Sequence, residues 1–447
     1  MPTELPPQVE EVINLLRAKG YAAYAVGDCV RSLLCGETPE DWDVITNADF
    51  SQIKKIFQNY TIYTDRLVYG ELVLVVSGMA VLVAPYRRGT DENGAPLFTD
   101  SLLQDLAARR FSFNAIAFNK EEGFVDPFGA KESLISGEKR IRAIALDEHD
   151  KQVCPFENSP ESMLRALEYH AAGGYTMSGE TARDLAGYKH KAAKIPPSEA
   201  KPLLCGILSG RNVGQTLEEY AGVFLCLLPE LAAMKDYDQH SPEHFYDLLT
   251  HTFKCVGYCS PILPLRIAAL FHAVGKPDCR SFDRNGKARY YGHAKRSSML
   301  ARRALTRLTF EENEIDEICW LIEHHDSRLG VDRRGLKLCL RRMPPGRLKM
   351  LLQFRYADTK AFSPELGGAA EEFKRLVDAV NEITAMKECY TYSQLEINRY
   401  DIMKLGADEQ TTAELLDMVL DTVLDNPSLN TRSQLMSLAE RVLGVNA

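Results

Sequence analysis

Apolar side chains recur at helical spacing through residues 8–19 (VEEVINLLRAKG), and Gly20 supplies a stop. The next apolar run, YAAYAV, predicts a short buried strand ending at Gly27-Asp28, and CVRSLLCG predicts a short helix closed by Gly36. DWDVIT predicts a second strand with Asp41 and Asp43 on one face, because strand side chains alternate. A helix is expected around 50–58, and ELVLVVSGMAVLVAPY predicts two strands joined at Ser77-Gly78. Residues 101–118 predict a helix running into the apolar stretch FSFNAIAF. From about residue 157 strand patterns give way to helical periodicity, broken at Pro196-Pro197, Ser260-Pro261, Pro344-Pro345 and Ser363-Pro364. The pattern is therefore α+β: a small mixed α/β head followed by a long helical body.

Composition narrows the setting. A chain of 447 residues is too long for one core and predicts roughly two to four domains. The net charge of -9 gives no global basic field, although a local basic face can still engage RNA. The 11 cysteines show no zinc-site spacing, which suits reduced thiols in the cytoplasm. MPTELPPQVEEV has neither the basic nor the apolar segment of a signal peptide, and no apolar run is long enough to span a bilayer.

Asp41 and Asp43 carry the first candidate chemistry. Two close carboxylates repel unless a cation or a proton offsets their charge. Magnesium prefers hard oxygen ligands and shares phosphate oxygens, so the pair suits metal-assisted attack on a nucleoside triphosphate. Taken alone, Asp-x-Asp equally describes a solvated acidic turn.

The context is more specific. AVGDCVRSLLCGETPEDWDVIT, DLAARRFSFNAIAF, GFVDPFGAKESLISGEKRIRAI and MLRALEYHAAGGYTM resemble, in order, the signature, arginine, turn and neck segments of the class II tRNA nucleotidyltransferases, the family of CCA-adding enzymes and bacterial poly(A) polymerases. YDLLTHTFKCV, LRIAALFHAVGKP, YYGHAKRSSMLA, IEHHD, YADTKA and INRYDIMKLG resemble the HD-type helical domain and tail of its long form. The resemblance implies a polymerase-β-type head at 1–145, a neck at 146–228, an HD-like domain at 229–365 and an RNA-binding tail at 366–447. It implies Asp41 and Asp43 as catalytic metal ligands for Mg2+, with ATP or CTP as substrates. Gly27, Arg31, Arg109, Asn114 and Arg165 would bind the nucleotide, and tRNA or a similar structured RNA is the implied partner.

The departures fall at the chemistry. The second signature glycine is Asp28, the acidic neighbour of Arg31 is Ser32, and the third carboxylate aligns with Leu82, leaving Asp65 or Glu71 as substitutes. Arg-Arg-Asp becomes Ala108-Arg109-Arg110. The neck positions that read base edges are Asn158, Ser159 and Ser162, and serine lacks arginine's bidentate fork. The HD doublet reads His272-Ala273, with His251, His293, His325 and Asp358 retained, so no tightly bound metal is expected there.

Arg333, Arg334, Lys337, Arg341, Arg342, Arg347 and Lys349 form a run without an acid among them, and Lys295, Arg296, Arg302, Arg303 and Arg307 form a second. Both suit phosphate contacts along RNA; the alternative is a solvated helix face. Two functions are therefore expected. One is nucleotidyl transfer to RNA 3′ ends, and the other is a catalytically degenerate paralogue that keeps RNA binding or a protein partner.

Overall fold

A computed structural model describes residues 4–91, 94–240, 245–362 and 369–445. The chain divides into two compact units, Met1–Pro229 and Glu230–Ala447.

The first unit is organised on a mixed sheet. Its strands are β1 (Ala23–Val26), β2 (Asp43–Thr46), β3 (Thr61–Tyr63), β4 (Leu72–Val76) and β5 (Met79–Pro85). A separate two-stranded ribbon follows, β6 (Arg87–Thr90) with β7 (Pro96–Phe98), and then β8 (Ala117–Asn119) and β9 (Gly123–Val125) rejoin the main sheet. The main sheet runs β3-β4-β5-β2-β1-β8-β9, with β2 and β5 parallel and the other neighbours antiparallel. β4 and β5 meet through Ser77 and Gly78, both at positive φ (47° and 83°), the two-residue turn whose twist matches a hairpin.

Helices cover the sheet. The first is α1 (Pro7–Ala18), which buries Val9, Val12, Ile13 and Leu16, as its apolar spacing predicts. Next come α2 (Asp28–Leu34), α3 (Phe50–Ile56) and α4 (Leu102–Ala108). α3 opens on a capping box between Asp49 and Gln52, and Ser101 caps α4. Leu106 of α4 packs with Tyr24, Val26, Ile45, Tyr86 and Ala115 in one core cluster. Beyond the head come α5 (Lys131–Ile135), α6 (Pro155–Asn158) and α7 (Glu161–Ala172), and helices continue through Ala221–Leu227.

Among its described residues the second unit is helical apart from one two-residue strand pair. Helix Leu248–Tyr258 packs along Pro345–Phe362, and His293–Arg307 packs on Glu312–His324. Pro197 and Pro345 each open a helix as its first residue, where the missing N–H costs nothing. Ser363 and Pro364 lie outside the described residues. Two short pairings interrupt the helical remainder expected from the sequence. Arg140–Ile141 pairs with Thr176–Met177, and Ser281–Phe282 pairs with Ala288–Arg289. Two-residue strands are too short for alternation to register. Among the described residues no helix is long and apolar enough to cross a membrane.

Candidate functional site

The head site forms where β1 ends and β2 begins. Gly27 has φ 81°, and a Cβ there would come 3.0 Å from Arg109 Nη1 and 3.8 Å from Asp43 Oδ2. Only glycine satisfies both the left-handed backbone and the close approach. Asp43 opens β2, but Asp41 lies in the exposed bend before it, so the two are not on one regular strand as expected. The ladder does extend one residue back, since Leu82 N donates to Trp42 O at 2.9 Å, and buried Trp42 separates the two aspartates.

Burial pushes the Asp43 carboxyl up to about 6. Arg109 opposes the rise, while Glu71, Asp41 and Asp28 add to it. A half-buried carboxylate whose charge burial and three nearby acids disfavour, with Arg109 alone opposing them, is a group whose charge a divalent cation would offset. Asp41 and Asp43 thus fit a hard cation, but the third position does not. Leu82 stands in register with Asp43 on β5. Glu71 does not substitute in this arrangement: its carboxylate is held by Arg66 at 2.9 Å and Arg87 at 3.2 Å.

Around this centre, Arg31 pairs with Asp28 at 2.8 Å, donates to Asn114 Oδ1, and lies 5.7 Å and 6.0 Å from the ring centres of Phe113 and Tyr169. Asp28 therefore turns its carboxylate onto Arg31. Arg109 is aimed by buried Asp105 at 3.2 Å, whose other oxygen accepts from Arg87 N at 2.8 Å. The structure brings Gly27, Arg31, Asp43, Arg109 and Asn114 together. Arg165 has no contact with them among the described residues: it is exposed on α7 and paired with Glu168 at 2.5 Å.

Beside Arg109 opens a cavity of about 470 Å3, lined by Tyr69, Arg87, Arg88, Arg110, Asn158 and Ser159 among others. Arg110 holds a left-handed backbone, φ 68°, and reaches Glu161 at 2.7 Å. Ser162 is fully buried, with no hydrogen-bond partner on its hydroxyl, so it cannot reach a base edge. Sequence reasoning missed Asp105, Arg87, Arg110 and Tyr69. A clue for Asp105 was an acid placed directly before apolar Leu106 and Ala107 of a short helix.

A second cluster lies in the helical unit. His251 Nε2 is 2.9 Å and His272 Nε2 3.3 Å from Asp358 Oδ1, and His293 Nε2 is 3.4 Å from His325 Nε2. His251, His272, His293 and His325 each direct Nδ1 at a backbone carbonyl: Ala361, Ala269, Tyr290 and Ile322 respectively. These Nδ1 contacts orient each ring and turn its Nε2 inward. Burial pushes the His293 and His325 pKa values down to about 4 each, with a neighbouring histidine adding to the effect, so both are neutral at pH 7. Burial raises Asp358, yet hydrogen bonds from His251 and His272 more than reverse this and leave it well below the usual carboxylate range. His251, His272 and Asp358 converge closely enough to share one ion, while fully buried Ala273 offers no ligand.

The basic run is not the acid-free surface expected from the sequence. Lys337 is buried and pairs with Glu388 at 2.7 Å while donating to Leu424 O at 3.0 Å, so it is a core residue. Arg333 pairs with Glu382 and Glu388, Arg334 with Asp421 and Asp425, and Arg341 with Asp417 and Tyr392. Those acids come from distant segments that fold back onto helix Arg333–Arg342. Arg347 lies 4.7 Å from the ring centre of Trp320. In the second run, Arg296, Arg302 and Arg307 are likewise paired with acids. Among the described residues Arg342, Lys349, Lys295 and Arg303 show no acidic partner.

A sheet with an aspartate pair at the mouth of a central strand, a glycine turn beside it and a helical continuation defines a polymerase-β-type nucleotidyltransferase head on a helical body. Residues 23–141 match the poly A polymerase head domain. The chain is 28% identical over 269 residues to the CCA-adding enzyme of Geobacillus sp. (strain WCH70), covering 58% of this chain and 64% of that enzyme. It is 27% identical over 262 residues to poly(A) polymerase I of Haemophilus influenzae, covering 52% and 53%. These matches span between half and two thirds of the relatives. The fold of the Bacillus stearothermophilus CCA-adding enzyme in complex with CTP aligns over 99% of this chain and 100% of that one, with TM-score 0.62 and 20% identity. The Thermotoga maritima CCA-adding enzyme complexed with tRNA aligns over 99% and 97%, with TM-score 0.58 and 16% identity. Residues 23–141 thus carry a poly A polymerase head domain, and the chain is similar to CCA-adding enzymes and bacterial poly(A) polymerases.

Proposed function

We propose that the head transfers a nucleotidyl group from CTP or ATP to the 3′ hydroxyl of tRNA or a similar structured RNA. The observation that carries this reading is Asp43, half-buried at the mouth of β2 with the Arg109 guanidinium and the Gly27 turn against it. Asp41 and Asp43 would hold Mg2+, which when bound supplies positive charge to the phosphoryl oxygens. Arg109, fixed by Asp105, is placed to hold phosphate oxygens beside Asp43, and Arg31, hydrogen-bonded to Asn114, would supply a further cation to the triphosphate. The relatives named for CCA addition and poly(A) synthesis support this substrate class. The HD-like reading of the histidine cluster, the finer division into head, neck, HD-like domain and tail, and a cytoplasmic setting for the free thiols belong to the same proposal.

A second reading has its own support. Leu82 beside Asp43 removes a carboxylate from the ligand set, and buried Ser162 removes a base reader. Both favour a paralogue that keeps the fold and RNA binding without transfer. Incubating the full chain with tRNA lacking its 3′ terminus, Mg2+ and labelled CTP or ATP separates the two. Incorporation that disappears in Asp43→Asn supports the first reading, and RNA binding without incorporation supports the second.

A further inference from the structure

The cavity beside Arg109 has features that nucleotide binding does not use. Arg87, Arg88, Arg109 and Arg110 contribute four cations to its wall, and Asp105 is the one acid among its lining residues. Asp105 is committed to Arg109 and to the Arg87 backbone, and Arg110 to Glu161. Arg88 is exposed and has no acidic partner among the described residues.

One aromatic side chain, Tyr69, lines the cavity, and exposed apolar side chains lie on the neighbouring turn and ribbon. Tyr69 is 65% exposed and neighbouring Val68 68%, while Phe98 on β7 is 46% exposed and packs edge-to-face on Phe50 at 5.6 Å. Their placement is enforced. Arg87 Nη1 donates to Tyr69 O at 2.7 Å, and Gly70, at φ 78°, lies so close to the ribbon that a Cβ would meet Pro96 Cβ at 2.9 Å. The turn Leu67–Tyr69 is thereby pinned to the β6-β7 ribbon, and Tyr69 lines the cavity while staying exposed.

Arg87 is paired with Glu71 as well, so among the described residues Arg88 is the one unpaired arginine of the four, and it lies with the exposed Tyr69 ring in the same cavity lining. An unpaired arginine beside an exposed aromatic ring matches single-stranded nucleic acid, whose phosphate takes the arginine and whose base stacks on the ring. A free triphosphate would use the arginine but leave the ring bare. Resting on the reading under Proposed function, we infer that Tyr69 and Arg88 form the platform for the single-stranded 3′ end of the acceptor RNA, leading its terminal hydroxyl past Arg109 toward Asp43.

The test is binding of the full chain to a short single-stranded oligoribonucleotide and, separately, to ATP, across a salt series. Tyr69→Ala is expected to weaken the oligoribonucleotide roughly tenfold, and Tyr69→Phe to restore it, because stacking needs the ring and not the hydroxyl. Arg88→Ala is expected to reduce the logarithmic salt slope by about 0.7. ATP affinity should stay within about twofold in all three. Both side chains are exposed, so the variants should fold. Unchanged oligoribonucleotide binding in Tyr69→Ala and Arg88→Ala overturns the platform even if nucleotidyl transfer is observed. Equal losses for ATP and RNA overturn it as well, and reassign the cavity to the nucleotide. Selective loss of RNA binding supports it even if transfer is absent, in which case only the transfer reading falls.

Discussion

Asp43 and Leu82 stand in register on neighbouring parallel strands, their side chains on the same face of the sheet. A carboxylate at 82 would sit directly beside Asp43. Leu82→Glu is therefore expected to raise Mn2+ affinity about tenfold or more, by completing a third hard ligand. It should cost about 1–2 kcal/mol of stability without metal, since a partly buried apolar group becomes a charge beside another carboxylate. Titration calorimetry with Mn2+ and denaturant unfolding check both halves. Unchanged cation affinity would mean that the cation, if any, lies elsewhere.

Asp43→Asn has a pH signature. The Asp43 carboxyl is raised to about 6 in the fold, first by burial, so folding favours its protonated form. That contribution is fully present below the unfolded value near 4 and is lost as pH rises through about 6. Metal-free Asp43→Asn should then exceed the wild type by on the order of 1–3 kcal/mol at neutral pH, with the advantage gone below about 4. Cation binding by the wild type should weaken about tenfold per pH unit below about 6. Urea unfolding at several pH values decides it, and a pH-independent difference would contradict the assignment.

The histidine cluster has His251, His272 and Asp358 converging, with nothing to complete the set at Ala273. Protein purified without chelator is expected to carry substoichiometric metal and to hydrolyse no phosphoester. Ala273→Asp should raise Zn2+ or Ni2+ affinity by about tenfold or more. Stoichiometric metal in the wild type that disappears in His272→Ala would overturn this.

Lys337 and Arg342 separate core from surface within one basic run. Lys337→Met leaves half-buried Glu388 with Arg333 alone and is expected to cost roughly 3 kcal/mol of stability with no change in salt slope for tRNA. Arg342→Ala with Lys349→Ala should leave stability within about 0.5 kcal/mol each. If those two cations touch phosphates, the logarithmic salt slope should flatten by about 1.5, and filter binding reads it. A flat response would place the RNA on another face.

The sequence by itself determined the local elements and the family resemblance. Apolar spacing placed α1, the β4-β5 hairpin and the helical remainder, because those signals depend only on residues a few positions apart. It also brought out Gly27, Asp43, Arg109 and Asn114, whose spacing is a chain property. Tertiary structure decided everything that depends on partners from distant segments. Seven cations without a local acid looked like an open basic face, yet Glu388, Asp417 and Asp421 come from residues dozens of positions away and pair with it. Arg165 is exposed and paired with Glu168 one turn along α7, a partner that the family motif does not indicate. Tyr69 and Arg88 are separated by a whole hairpin, and only the sheet brings them to one cavity. Charge and burial are set by neighbours in space, and the order of residues in the chain does not state who those neighbours are.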